Sequence, residues 1–228
     1  MSAIAIIPAR GGSKRLPRKN IMPFAGKPMI AHPITTALES GLFNDVVVST
    51  EDREIADISR ECGATVIKRP NHLAEDISTV AQVCLHALGV MKERNALPDV
   101  FCRMFPTTVL ITTDDLIQSL KLLNSSKNPD VVLSVSEYII HPYKAMALED
   151  GFLKPLWPEM YLRKSQYYPD AVASNGSFFW AKTNAFVQQG SVHVKRMVGY
   201  SIPPERAVDI DTQEDFEMAL RLFHQVRS

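Results

Sequence analysis

An apolar, β-type run, Ile4-Ala5-Ile6-Ile7-Pro8, leads straight into Ala9-Arg10-Gly11-Gly12-Ser13-Lys14-Arg15-Leu16-Pro17-Arg18-Lys19-Asn20, a loop with two adjacent glycines and five cations. A strand that ends this way is suited to holding a polyphosphate at its carboxyl end. Gly11 and Gly12 lack a Cβ, so the backbone is free to take positive φ and bring its N–H groups close to an anion. Arg10, Lys14, Arg15, Arg18 and Lys19 offset charge on phosphate oxygens, and Asn20 is placed to fix a hydroxyl or a carbonyl. Neither GxxxxGK[ST] nor GxGxxG occurs, which excludes the P-loop and the dinucleotide fingerprint.

The rest of the chain repeats the strand-to-helix alternation that builds a parallel sheet covered on both faces. The pattern predicts strands at 4–8, 45–50, 64–67, 100–105, 130–135, 177–181 and 197–202. It predicts helices at 28–40, 51–62, 79–94, 112–123, 183–189 and 213–226. Ile55, Ile58 and Cys62 have helical spacing, and Gly41 and Gly63 stand where a helix C-terminus needs them. Thr112 with Asp114 and Asp115 reads as a helix cap. Residues 137–175 break the rhythm, with Pro142, Pro155, Pro158, Pro169 and many aromatics. The whole, 228 residues, reads as one α/β domain, residues 1–228, with this single excursion.

Lysine plus arginine equals aspartate plus glutamate, 25 each, so no net field draws the chain to nucleic acid or an acidic membrane. Any polyanion must be bound locally. No apolar run approaches the roughly 20 residues that span a bilayer, and residues 1–8 are too short for a signal peptide, so a cytoplasmic location is expected. Cys62, Cys84 and Cys102 fit neither a disulfide framework nor a paired metal site and read as core thiols.

In open sheets of this kind ligands bind beyond the carboxyl ends of strands, and several chemistry-bearing clusters fall there. Asp209-Ile210-Asp211-Thr212 places two carboxylates on one face of an extended segment, where they can hold Mg²⁺ or Mn²⁺ together with substrate phosphates. Thr212 with Asp215 also reads as a loose capping box. Further clusters are Arg69-Pro70-Asn71-His72-Leu73-Ala74-Glu75-Asp76, His141-Pro142-Tyr143-Lys144, the stretch holding Arg163, Lys164 and Gln166, and Ser174-Asn175-Gly176-Ser177. His72 reads as structural.

These residues together resemble the acylneuraminate cytidylyltransferases, which make CMP-activated sialic acids and their bacterial relatives. Ala9, Arg10, Ser13, Lys14, Lys19 and Asn20 match the family's A-R-x-x-S-K-x-x-x-x-K-N signature, and 209–212 match its D-I-D-T motif. Arg69 to Asp76 match R-P-x-x-L-A-x-D, 141–144 match H-P-x-K, and 174–180 are similar to N-G-A-I-Y. The enzymes that activate Kdo carry S-T-R-L-P-G-K where this chain has Ser13 to Lys19, which separates the two. Met104-Phe105-Pro106-Thr107-Thr108 stands in place of Q-P-T-S-P, and Ala173 in place of an arginine, and both move away from N-acetylneuraminic acid. Lys14 to Lys19 and Pro142 to Leu148 look more like the pseudaminic acid branch, with the legionaminic acid branch close behind.

The resemblance implies a Rossmann-like nucleotidyltransferase fold and transfer of CMP from CTP to a nonulosonic acid with release of pyrophosphate. It implies catalytic roles for Arg10, Lys14, Lys19 and Asp211, and nucleotide contacts from Ala9, Gly11, Gly12, Ser13, Asn20, Arg69 and Thr79. Metal binding falls to Asp209 and Asp211, and sugar contacts to Lys144, Arg163 or Lys164, Gln166 and Asn175. It also implies that 137–175 is a dimerisation element of a homodimer. A nucleotide-binding regulator without turnover, and a Kdo or sugar-1-phosphate nucleotidyltransferase, are the competing readings.

Overall fold

Ile4, Ile6 and their alternates Ala3, Ala5 and Ile7 are all buried because the strand they form, β1 (Ala3–Pro8), has helices on both faces. That explains a continuous apolar run where a half-exposed strand would alternate. The structure, a computed structural model, describes residues 1–226. In chain order the elements after β1 are β2 (Pro23–Phe24), β3 (Lys27–Pro28), α1 (Ala31–Glu39), β4 (Asp45–Thr50), α2 (Arg53–Glu61), β5 (Thr65–Lys68), α3 (Val80–Glu93) and β6 (Val100–Met104). They continue with α4 (Thr113–Leu123), β7 (Val131–Glu137), β8 (Met146–Glu149), β9 (Phe152–Pro155), α5 (Pro158–Tyr161), β10 (Val172–Lys182), α6 (Thr183–Gln189), β11 (Met197–Ser201) and α7 (Gln213–Val226).

Seven strands form one sheet in the order β11-β7-β10-β6-β1-β4-β5. β1 pairs in parallel with β4 and β6, β4 with β5, and β7 with β11, while β10 runs antiparallel to both its neighbours. The sheet is thus mostly parallel and flanked by helices, as expected. One face packs on α1, α2 and α4 through Ile34, Ile55 and Leu116, and the other on α3 and α6 through Cys84, Leu88 and Phe186. A third cluster seats α7, by Phe216 and Ala219, on Leu16, Phe24, Met29 and Leu110. This last contact brings the C-terminal 209–212 segment beside the loop after β1.

Three differences from the predicted elements have local causes. The first helix starts at Ala31 because 23–28 is a hairpin, β2-β3, turning on Ala25 (φ 45) and Gly26 (φ 83), a pair of positive φ values that such tight turns require. β10 begins at Val172, since the chain re-enters the sheet before a bulge between Ser174 and Phe179. Inside the excursion, β8 and β9 form a hairpin turning on Asp150 (φ 51) and Gly151 (φ 83), outside the main sheet. Thr112 caps α4 in a box with Asp115, as predicted. Cys84 and Cys102 are buried free thiols, and burial pushes Cys84 up to about 12, which leaves it inert at neutral pH. No helix among the described residues is long and apolar enough to cross a membrane.

Candidate active site

The carboxyl ends of β1, β5 and β6 border a cleft of about 570 Å³, lined by Arg10, Lys14, Lys19, Arg69, Asp209 and Asp211 among others. Ser13 and Asn20 also line it. Ala9 lies behind, fully buried.

The loop after β1 is held by its own chain. Asn20 donates its side-chain amide hydrogen to the Arg10 carbonyl at 2.9 Å and its backbone carbonyl accepts from Ile30 N–H, so the side chain fixes a carbonyl, that of the loop itself. Gly11 N–H donates to Glu51 Oε1 at 2.7 Å. Neither Gly11 nor Gly12 takes positive φ. Gly11 is needed for a different reason: a Cβ there would come within 2.5 Å of Asp52 Oδ2. Asp52 caps α2 and accepts from Arg18 at 2.5 and 3.1 Å, and Arg18 also donates to Glu54. Arg18, at φ 56, thereby faces α2 rather than the cleft; the Asp52 bond raises its pKa and holds the Asp52 carboxyl low.

The other four cations of the loop are grouped on two carboxylates. Arg10 and Lys14 donate to Asp76 at 2.7 and 2.5 Å, and these two bonds, Lys14's foremost, hold Asp76 below the usual carboxylate range. Arg15 and Lys19 reach Asp211 at 2.5 and 2.9 Å, and Lys19 also donates to the Ile210 carbonyl at 2.5 Å. Asp209 has no hydrogen bond or ion pair among the described residues; desolvation by the cleft and then the Asp211 charge push its carboxyl up. The segment carrying these aspartates is tied down on both sides. Arg206 holds buried Asp115 bidentately at 2.6 and 3.0 Å, with the Tyr200 hydroxyl at 3.2 Å, and Thr212 and Asp215 form the capping box at the start of α7.

Arg69 is buried, donating to the Ser49 and Leu73 carbonyls with Glu51 at 4.0 Å, and burial pushes its pKa down. Thr79 caps α3 in a box with Gln82, and Ser78, Val80 and Val83 line the cleft beside it. The residues expected at the sugar lie apart from this cleft within the same chain. Lys144 donates to the Tyr161 carbonyl at 3.1 Å and sits 4.7 Å from the Tyr161 ring centroid. Arg163, Lys164 and Gln166 are exposed. Asn175 has both ends of its amide engaged, accepting from Ser134 and Ser177 and donating to Ser136.

Asp76, Asp115 and Phe105 were not singled out from the sequence, although the first belongs to the Arg69 cluster and the second to a recognised cap. Phe105 lines the cleft on the β6 side with Pro106 and Thr107. Among the described residues no group of three or more His, Cys, Asp or Glu is arranged for a metal. Asp209 and Asp211 still fit a hard divalent cation as a pair of oxygen donors, one of them without a cationic partner, with phosphate oxygens and water to complete the shell.

A mostly parallel sheet with a cation-rich loop at the end of an interior strand, faced by two aspartates from the C-terminal segment, defines a nucleotidyltransferase of Rossmann-like architecture. The chain belongs to the cytidylyltransferase family: the family profile described as Cytidylyltransferase matches residues 4–227. It is 31% identical over 227 residues to the pseudaminic acid cytidylyltransferase of Campylobacter jejuni serotype O:2, covering 98% of this chain and 97% of that protein. It is 30% identical over 229 residues to the N-acylneuraminate cytidylyltransferase of Escherichia coli O18:K1:H7, covering 96% of this chain and 51% of that protein, whose length it spans by about half. Among solved structures it resembles CMP:2-keto-3-deoxy-manno-octonic acid synthetase complexed with CTP, with a TM-score of 0.73, 18% identity and 99% of each chain covered. It also resembles the 4-diphosphocytidyl-2C-methyl-D-erythritol synthase of Anaerococcus prevotii, with a TM-score of 0.68, 10% identity and 98% of each chain covered. At these identities the structural likeness bears on the fold. The chain is a cytidylyltransferase, an enzyme.

Proposed function

We propose that the enzyme transfers CMP from CTP to the anomeric hydroxyl of a nonulosonic acid and releases pyrophosphate, with pseudaminic acid as the favoured acceptor and legionaminic or N-acetylneuraminic acid as alternatives. The observation that carries this is the meeting of the two chain ends: Lys19 of the phosphate loop joined to Asp211 and the Ile210 carbonyl, with Asp209 alongside. In this reading Arg10, Lys14 and Lys19 exchange their carboxylate partners for phosphate oxygens and stabilise departing pyrophosphate. Ala9, Gly11, Gly12, Ser13 and Asn20 shape the loop, Arg69 stands under the nucleoside, and Thr79 keeps the start of α3 in place. Asp209 and Asp211 would hold Mg²⁺ or Mn²⁺, which when bound neutralises charge on the phosphates. Asp211, released from Arg15 and Lys19, also stands ready to accept the acceptor's hydroxyl proton.

Pyrophosphate release assayed with CTP, UTP, ATP and GTP against pseudaminic, legionaminic, N-acetylneuraminic and Kdo acceptors tests the reading. Turnover is expected with CTP and a nonulosonic acid; none with any of these, or a preference for Kdo, overturns it.

Asp76 occupies two cations that the triphosphate needs. Asp76→Asn is therefore expected to tighten CTP binding in low salt by roughly threefold to tenfold, an effect that shrinks as salt screens it. Titration calorimetry reads this directly, and weakened binding would mean that Asp76 itself helps to hold the nucleotide.

The whole chain acts, in this proposal, as one cytoplasmic catalytic domain whose excursion at 137–175 pairs with a second copy. That segment exposes Ile139, Ile140, Leu148, Phe152, Leu153 and Leu162, with Ile139 at 91% and Leu162 at 85%. Such a patch calls for a cover, and a partner's excursion would carry Lys144, Arg163 or Lys164, and Gln166 towards the cleft across the dimer. Light scattering at working concentration is expected to give twice the chain mass; a monomer contradicts this part.

A further inference from the structure

Arg103, on β6, is a buried charge that the reaction described above does not use. It is 5% exposed and has no carboxylate within ion-pair distance among the described residues, and its Nε is buried without a hydrogen-bond partner. Burial pushes its pKa down to about 10. An uncompensated guanidinium inside a sheet is costly, and an aliphatic side chain would fill the same space without that cost. What Arg103 makes instead is specific. Its Nη1 donates to the carbonyls of Gly176 at 2.8 Å and Ser177 at 3.4 Å, in the bulge where β10 loses register with β7 and the ladder leaves backbone groups unpaired. The guanidinium carbon lies 4.0 Å from the ring centroid of Phe105 and 4.8 Å from that of Phe179. Phe179 is core, and Phe105 is cleft wall.

The cleft has two sides. Arg69 and the 73–83 wall stand on the β4-β5 side of the phosphate loop, and Phe105, Pro106 and Thr107 stand on the β6 side. The excursion leaves the sheet after β7 and returns into β10, which neighbours β6, at the same end as the cleft. Given the proposed function, on which this rests, the nucleotide takes the first side and the acceptor the second.

We infer that Arg103 is a positioning residue for the acceptor: by lying over the Phe105 ring and tying down the β10 bulge, it holds a flat apolar wall against the incoming sugar. The Phe105 ring offers no hydrogen-bonding atom. It suits an acceptor that presents C–H, deoxy or methyl groups there and disfavours one that presents hydroxyls, which would lose water without a partner. A lysine at 103 keeps the charge but not the broad contact over two rings or the reach to two carbonyls.

The test is steady-state kinetics of Arg103→Lys, Arg103→Met and Phe105→Leu in the full chain, with CTP and acceptor varied separately and the melting temperature measured alongside. Expected is a rise in acceptor KM of about tenfold in Arg103→Lys and Phe105→Leu, with CTP KM and kcat within about twofold of wild type. Phe105→Leu carries the test if the Arg103 variants fail to fold. Equal losses in both KM values, loss of kcat alone in step with melting temperature, or an unchanged acceptor KM in Phe105→Leu each overturn the inference. A wild-type enzyme that turns over no nonulosonic acid removes the reading beneath it, and that outcome is seen before any variant is made.

Discussion

Asp211→Ala is expected to lower pyrophosphate release by on the order of a thousandfold or more while leaving the fold intact. Asp211 stands where three functions meet: it accepts from Arg15 and Lys19, it lies beside Asp209 in the cleft, and it begins the segment that leads into α7. The last of these does not depend on its side chain, because Thr212 and Asp215 form the capping box between themselves and the Asp211 amide also donates to Asp215. The partners of the carboxylate are partly exposed, so removing those ion pairs costs little stability. Activity and melting temperature therefore separate. Near-normal turnover in the alanine variant would reduce the 209–212 segment to a helix start.

Asp115→Ala is the largest expected loss of stability. It leaves Arg206 partly buried without its bidentate partner and takes a hydrogen-bond acceptor from Tyr200 and from the start of α4. Breaking a buried pair on one side costs about 3–5 kcal/mol, and in a chain of this size that lowers the melting temperature by on the order of 10 °C. The pH dependence follows from the direction of the carboxyl's shift. Burial works to raise it, but the hydrogen bonds from Arg206 and Thr112 hold it below its ordinary value. The stability it contributes is therefore complete above the unfolded carboxylate range, about pH 4, and is lost as pH falls through the lower folded value. Denaturant melts from pH 7 to pH 3 are expected to show the wild-type advantage over Asp115→Ala shrinking only at the acid end. An advantage that is already gone at pH 5 would contradict the assignment.

The parts of this molecule that were legible in the sequence are those set by period and by local chemistry. Continuous apolar runs such as 4–8 and 46–48 lie in strands because two-sided burial leaves no exposed face to alternate with. Thr112 starts α4 with its side-chain cap, and Gly41 and Gly63 follow the ends of α1 and α2 at φ 65 and 91, as their own residue types dictate. The juxtaposition of the phosphate loop with Asp209 and Asp211, nearly two hundred residues apart, was legible only through the resemblance of their motifs. Physically it depends on α7 docking on Leu16 and Phe24.

What stayed hidden is the division of labour among like residues. By residue type alone the five cations of the loop are equivalent, and only the family motif sets Arg15 and Arg18 apart; Arg18 turns to α2 because Asp52 and Glu54 stand at that helix's start. Gly11 looked like a residue chosen for positive φ and is instead one chosen for the closeness of Asp52. Asn175 looked free for a sugar and has its amide engaged by Ser134, Ser136 and Ser177, because a bulge needs its unpaired backbone groups bonded. A strand arginine such as Arg103 carries no periodic signal that tells a buried cation from an edge one. Only the register of β10 explains it.

In the proposed reaction the acceptor's own anomeric oxygen attacks the α-phosphorus of CTP. Phosphorus NMR of the product formed from CTP and pseudaminic acid labelled with ¹⁸O at its anomeric hydroxyl decides this. One equivalent of pyrophosphate and a CMP phosphodiester that retains the label in its bridging oxygen are expected. Release of orthophosphate, or a phosphodiester from which the label has been lost, would contradict it.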